Sequence, residues 1–329
     1  LETEQEALMK RMTTALAALA AIAVTTVGPI SLTQASGAVA THSTAATKVF
    51  PFVPSVLHNN PEGVAWDPAS KHFFAGTVTN GTIYSARLTD KQLTPVPFDH
   101  PADSAVGMKV SRGKLYVAGG GTGSIYVFKI KTRKLLARFE TGTGGFLNDL
   151  VVTRTGDVYV TDSFRPMIWH VSPAMVKARA GTPNSIDVRP EIAFAGGGAF
   201  NLNGIVARRG GRELIVVNTT SKALFRIKLN RHHLMGRTIT KIDAPALAGD
   251  GLLIDRGRLL VVTGDPAAVH VLKLSNRDLR ARQVKVLTDP SLRGPSTIAR
   301  ARNRYLVVNA DFAGNTQPYT VTALRRGHR

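Results

Sequence analysis

The amino-acid sequence predicts an all-β fold, a six-bladed β-propeller of four-stranded blades, from three observations. A unit of roughly 42 to 55 residues recurs six times along the chain, the scale of one propeller blade. Apolar and polar residues alternate with period two through most of its segments. After residue 41 no stretch keeps a helical period except the short Pro173 to Ala180. A parallel β-helix would repeat at shorter, more regular intervals, and a doubly wound fold would need helices between its strands.

Ahead of the repeats, residues 1–40 read as an address. Lys10 and Arg11 precede the apolar run Ala15 to Val24, which is too short to span a bilayer and suits a signal-peptide core. Ala38-Val39-Ala40 supplies an A-x-A cleavage site, and Met9 is the expected start. The expectation is an exported protein, secreted or extracytoplasmic, with no transmembrane anchor. Residues 41–329 then form a single propeller. Thr41 to Lys48 is a small, polar lead-in, and Val49 to Val53 is expected to supply the outer strand that closes the ring onto the last blade.

Blades begin near residues 61, 105, 147, 202, 249 and 294. Each opens on a short motif: Pro61-Glu62-Gly63, Val106-Gly107-Met108, Leu147-Asn148-Asp149, Leu202-Asn203-Gly204, Gly249-Asp250-Gly251 and Gly294-Pro295-Ser296. Second strands follow in register, among them Lys114 to Val117, Asp157 to Val160, Glu213 to Val216, Arg258 to Val261 and Arg304 to Val307. Turns such as Arg112-Gly113, Gly210-Gly211 and Arg256-Gly257 separate the strands.

Composition narrows the chemistry. The chain has no cysteine, which excludes disulfide scaffolds, Cys-ligated zinc, iron–sulfur clusters and a thiol nucleophile. Apolar residues at 43% can build a core, so the chain is not disordered. Lys and Arg number 42 against 22 Asp and Glu, a net charge of +20 that draws anionic partners. Aromatics at 6% are thin for base stacking, and no nucleic-acid motif is present, so no nucleic-acid partner is expected.

In a propeller, equivalent blade positions meet around the central channel. The second residue of each opening motif, with Val106 standing for the second blade, forms a column: Glu62, Val106, Asn148, Asn203, Asp250 and Pro295. Four of the six carry oxygen donors. Two carboxylates and two amides suit a hard divalent cation, calcium foremost, because it takes six to eight oxygen ligands in flexible geometry. Magnesium, which keeps several waters, fits so crowded a cage less well. Asn203-Gly204 and Asp250-Gly251 also read as common turn dipeptides. Glu62 and Asn148 do not, since Glu-Gly is no turn signature and all four share one register.

On these residues the chain resembles the SMP-30/gluconolactonase-like superfamily of six-bladed propellers, over roughly residues 50–324. Pro61-Glu62-Gly63 looks like that family's first-blade Glu motif, Asn148 and Asn203 like its amide ligands, and Asp250-Gly251 like its Asp-Gly motif. Tyr159-Val160-Thr161-Asp162-Ser163 is similar to a common blade sequence of the family. The resemblance implies a hydrolase of a lactone or related ester, with a tunnel-bound calcium as Lewis acid. It makes Glu62, Asn148, Asn203 and Asp250 the metal ligands. Asp250 would double as base or nucleophile, and Asn148 and Asn203 would orient the substrate. The chain departs from the pattern at Pro295-Ser296-Thr297, where a channel histidine is absent, and at Leu253, where no second carboxylate follows Asp250. A monomer acting on a small molecule is expected. The competing reading is a non-catalytic NHL/YncE-like propeller whose basic face holds an anionic cell-envelope polymer or a protein partner.

Other signals carry ordinary structural roles. Gly119 to Gly123 lacks the Lys-Ser/Thr end of a phosphate loop and reads as a hairpin. Gly196-Gly197-Gly198 reads as a connection between blades, and His232-His233 as an exposed basic turn. His170 and His270 fall on third strands, away from the axis. Asp162 and Asp265 read as turn caps, and Arg325 to Arg329 as a solvated, frayed tail.

Overall fold

The structure, a computed structural model, describes residues 47–99, 102–229 and 238–327. The expected signal segment, all of the lead-in but its end, and the His232-His233 turn lie outside the described residues. Six antiparallel sheets of four strands form the blades. The innermost strands of blades one to six are Pro61–Asp67, Met108–Ser111, Leu147–Val152, Leu202–Arg208, Gly249–Asp255 and Pro295–Ala301. Each contacts the next around a closed ring, and the first meets the last. The expected helix is present as Pro173–Ala178, capped by the Ser172 hydroxyl, which accepts from the Met175 amide at 3.2 Å.

The apolar alternation of the strands becomes interblade core. Each sheet presents one apolar face to each neighbour, and the buried side chains cluster between adjacent blades rather than inside one sheet. A single blade could not bury both faces, which is why six must assemble together.

Ring closure follows the expected route. Lys48–Pro51 pairs antiparallel with Thr320–Arg325 as the outer strand of the sixth blade. Phe50 packs edge-on against Phe73 at 5.1 Å, and Phe52 against Tyr84 at 4.8 Å, so the segment joins the last blade to the first. Both phenylalanines are buried. Phe50→Ala should therefore cost about 3–5 kcal/mol of stability and loosen the closure, measured as a lower denaturant midpoint.

The C-terminal tail is corrected by the structure. Arg325 ends the last strand, and Arg326 grips Asp255 of the fifth blade with Nε at 2.5 Å and a terminal nitrogen at 2.7 Å. The Tyr305 hydroxyl donates to the same carboxylate at 2.7 Å. A buried carboxylate with partners from two neighbouring segments anchors the chain end, where sequence alone offered only charge.

The column register is corrected as well. Pro295 pairs with Asn309 as Pro61 pairs with Thr77, so the sixth blade contributes Ser296, one residue later than the sequence pattern placed it.

A candidate metal centre at the start of the inner strands

Five inner strands carry a β-bulge at the same place. In each, the column residue and its successor face one residue of the second strand: Glu62 and Gly63 lie opposite Gly76, and Asn148 and Asp149 opposite Thr161. A bulge re-aims side chains that regular pleating would send to opposite faces. The successor turns toward the next blade. A Cβ on Gly63 would stand 1.9 Å from the Val106 carbonyl oxygen, and one on Gly204 2.3 Å from that of Asp250. Glycine is needed there for close backbone approach, with no positive φ at either position, so these Glu-Gly and Asn-Gly pairs are strand bulges and not turns.

The four residues singled out in the sequence share a further property. Oε2 of Glu62 and Oδ1 of Asn148, Asn203 and Asp250 are all buried without a hydrogen-bond partner. Buried polar atoms are ordinarily paired, so four orphan oxygens at one register position of four blades make a candidate donor set. Among the described residues no three His, Cys, Asp or Glu side chains form a metal cluster, consistent with a set in which half the donors are amides.

Neighbouring groups dictate which way the amides face. The Ser163 hydroxyl donates to the Leu202 carbonyl at 2.6 Å and accepts from Asn148 Nδ2 at 3.1 Å. The Thr219 hydroxyl donates to the Gly249 carbonyl at 2.6 Å and accepts from Asn203 Nδ2 at 3.3 Å. Each hydroxyl proton is committed to the next blade, so the hydroxyl can only accept from the amide, and the amide oxygen is left facing away. Such outer partners orient ligands at metal sites. The sixth member of the ring, Ser296, is spent on the Glu62 backbone carbonyl at 3.0 Å.

A third carboxylate lies beside these residues that sequence reasoning passed over. Asp149, the successor in blade three, is buried and takes Lys109 Nζ at 2.7 Å and the Leu150 amide at 2.8 Å. Its place directly after Asn148 was the available signal, since every other donor blade has glycine in that position. Burial raises the Glu62 carboxyl well above the usual range, the charges of Asp250 and Asp149 raise it further, and Lys109 opposes them. Asp250 is pushed up to about 8 by burial and then by Asp149, against a hydrogen bond from Asn203. Carboxylates crowded and desolvated in this way favour a proton or a cation.

One sector of the ring is apolar. Val106 is the only purely apolar member of the column, and a Cβ on Gly120 would touch both Val106 at 3.0 Å and the Phe146 ring at 3.3 Å. Phe146, Phe164 and Phe200 pack as a triangle with centroids 5.2 to 5.5 Å apart. Phe146 is buried and the other two are half-buried, close in sequence to Asn148, Ser163 and Asn203. The Gly119–Gly123 stretch is the expected hairpin, and Gly120 pairs with Leu147 of the next blade. His170 and His270 are buried on third strands as expected, and Asp162 caps the Phe164 and Arg165 amides at 3.1 and 3.0 Å. An open groove of about 570 Å³ lies elsewhere, on the outer wall by Asp243, Lys273 and Arg282, and holds no cluster of carboxylates.

No protein-family model and no curated protein matches this chain. Solved structures do. A gluconolactonase from Xanthomonas campestris is 16% identical with a TM-score of 0.59, over 85% of this chain and 90% of that one. The calcium-binding protein regucalcin from Agrobacterium tumefaciens is 18% identical with a TM-score of 0.58, over 86% and 98%. A periplasmic gluconolactonase from Pseudomonas aeruginosa is 14% identical with a TM-score of 0.55, over 81% and 86%. The resemblance read from the motifs is borne out at the level of the six-bladed fold.

Proposed function

We propose that this chain is an exported hydrolase of a lactone or related ester, dependent on a divalent cation, calcium foremost, held by Glu62, Asn148, Asn203 and Asp250. One observation carries the reading: each of the four oxygen-bearing side chains that share a column in sequence keeps a buried oxygen without a hydrogen-bond partner in the fold. Two carboxylates and two amides are hard donors that fit calcium, with room for water or substrate oxygen. Gluconolactonases and regucalcin among the structural neighbours are in keeping with this chemistry.

When bound, the cation would supply a Lewis acid for the ester carbonyl. The chain's own contribution is orientation and proton handling. Ser163 and Thr219 hold the amide oxygens of Asn148 and Asn203 toward the site. Asp250 stands near 8 in the metal-free chain; beside a bound cation its carboxylate would be ionised, the form that can accept a proton. Lys109 neutralises Asp149, which leaves Glu62 and Asp250 as the free carboxylates. Phe164 and Phe200, the half-buried members of the phenylalanine triangle, would offer an apolar substituent a contact, favouring an alkyl or aryl lactone over a fully hydroxylated sugar lactone.

The test is calcium titration by calorimetry on the metal-stripped protein, followed by a panel of alkyl lactones, sugar lactones, aryl esters and phosphotriesters. Absence of calcium binding, with no turnover on any substrate, would return the column to a structural role. Ser163→Ala gives a sharper check. Freed from its hydroxyl, the Asn148 amide should lose its fixed orientation, and calcium affinity should fall by about 10–100-fold. The accompanying loss of stability should stay near 1–3 kcal/mol for the unpaired Leu202 carbonyl.

A further inference from the structure

We propose that the end of the propeller opposite the candidate metal centre is a docking surface for a flexible linear polyphosphate-type polyanion. It is independent of the channel site. The turn between the first and second strand of every blade lies at that end, since the column marks where the first strands begin. Each of these six turns presents at least one exposed basic side chain: Lys71, Arg112, Arg154, Arg209 (with Arg212 beside it), Arg256 and Arg302.

Neighbouring blades touch at this end. Arg112 donates to the Arg154 carbonyl at 2.6 Å, a Cβ on Gly211 would touch Thr153 at 3.0 Å, and Arg300 of the sixth inner strand reaches Asp255 of the fifth at 3.4 Å. Among the described residues, the strand connections at the other end hold more carboxylates than basic side chains, so the positive charge is polarised along the axis.

Backbone conformation argues that the charge itself is wanted. Lys71, Arg112, Arg209, Arg256 and Arg302 adopt left-handed φ values of 60°, 49°, 50°, 47° and 55°. Glycine, asparagine and aspartate occupy that region at lower cost, and turns of this kind normally recruit them. Five blades nonetheless place Lys or Arg there. Neutralisation within the fold does not explain the choice: among the described residues no carboxylate pairs with Lys71, Arg256 or Arg302, while Arg209 alone of the five is tied, to Glu213 at 2.9 Å and to Asp278 at 3.8 Å.

The chemistry of the surface selects the partner. Five of the six groups are guanidinium, whose planar fork matches phosphate oxygens. The turns carry no aromatic ring on which bases could stack and no exposed large apolar side chain to enter a lipid surface; Val53, Val56 and Leu57 are exposed at the other end, in the segment leading to Glu62. A polyanion recognised by charge and phosphate geometry remains.

The full chain is titrated with long-chain inorganic polyphosphate, beside the triple variant Lys71→Asn, Arg256→Asn, Arg302→Asn. Asparagine suits the left-handed backbone, so this variant should melt at the same temperature or higher. A second triple, Lys241→Gln, Arg282→Gln, Lys285→Gln, removes equal charge from the outer wall. At 0.15 M salt the ring variant should bind at least about tenfold more weakly, and its slope of log K against log salt should shrink by about two. The wall variant should bind like the wild type. Equal weakening in both triples would reduce the effect to net charge and overturn the proposal. So would undiminished binding by the ring variant, or a preference for duplex DNA or anionic lipid vesicles over polyphosphate.

Discussion

Asp250→Asn is expected to abolish calcium binding and hydrolysis together while leaving the propeller folded. The substitution keeps the size of the side chain and removes one of only two carboxylates in the proposed donor set. Loss of a direct ligand should exceed the 10–100-fold cost typical of an outer partner. It also removes a charge that raises the Glu62 carboxyl, so the metal-free variant should be at least as stable as the metal-free wild type. Glu62→Gln should behave alike. Calorimetry with calcium, lactone turnover and a thermal melt on the same samples separate the outcomes. Full calcium affinity in both variants would remove the column from the mechanism, whereas a collapsed melt would say only that the ring needs the carboxylates to fold.

Metal-free protein should lose stability as pH rises from about 4 to about 8, and calcium should restore it most at the upper end. The sign follows from proton counts. Asp250 has an ordinary value of 3.8 and stands near 8 in the fold, so across that window the folded chain holds a proton that the unfolded chain has released. Stability then falls with pH, because the native state binds more protons than the unfolded state, and the fall ends above the folded value. Glu62, also raised, adds to the same trend. Calcium competes with those protons, so its apparent affinity should climb over the same range and binding should release protons. Melting temperatures at pH 5, 6.5 and 8, with chelator and with calcium, measure both effects. A metal-free midpoint that rises between pH 5 and 8 would contradict the burial assigned to Asp250. The Asp250→Asn variant should show a flatter profile, since an amide does not titrate.

Much of this was legible before folding was considered. The repeat, the closing strand at Lys48–Pro51, the short helix at Pro173–Ala178 and the third-strand histidines all follow from local pattern, because alternation and spacing are properties of neighbouring residues. The column was legible for a related reason. Each donor leads an inner strand that is followed by a Val- and Leu-rich second strand, so the repeat aligns the donors by itself.

What escaped the sequence depends on contacts between blades. Strand pairing, not spacing, moves the sixth column member from Pro295 to Ser296, because the turn between the first and second strands varies in length from blade to blade and an ungapped pattern cannot count it. Asp149 enters the site through its charge on Glu62 and Asp250, two residues from other blades, and its partner Lys109 comes from a third. Arg326 looks like a tail residue until Asp255, 71 positions away, is found beneath it.

By itself, then, the chain order determined the architecture and the donor column, since periodicity and strand register repeat with every blade. Only the closed ring decided which donors are left without partners, how far their protons are held, and that the basic residues of six separate turns stand on one face. Burial, charge proximity and hydroxyl bridges between blades exist only once the first blade meets the last.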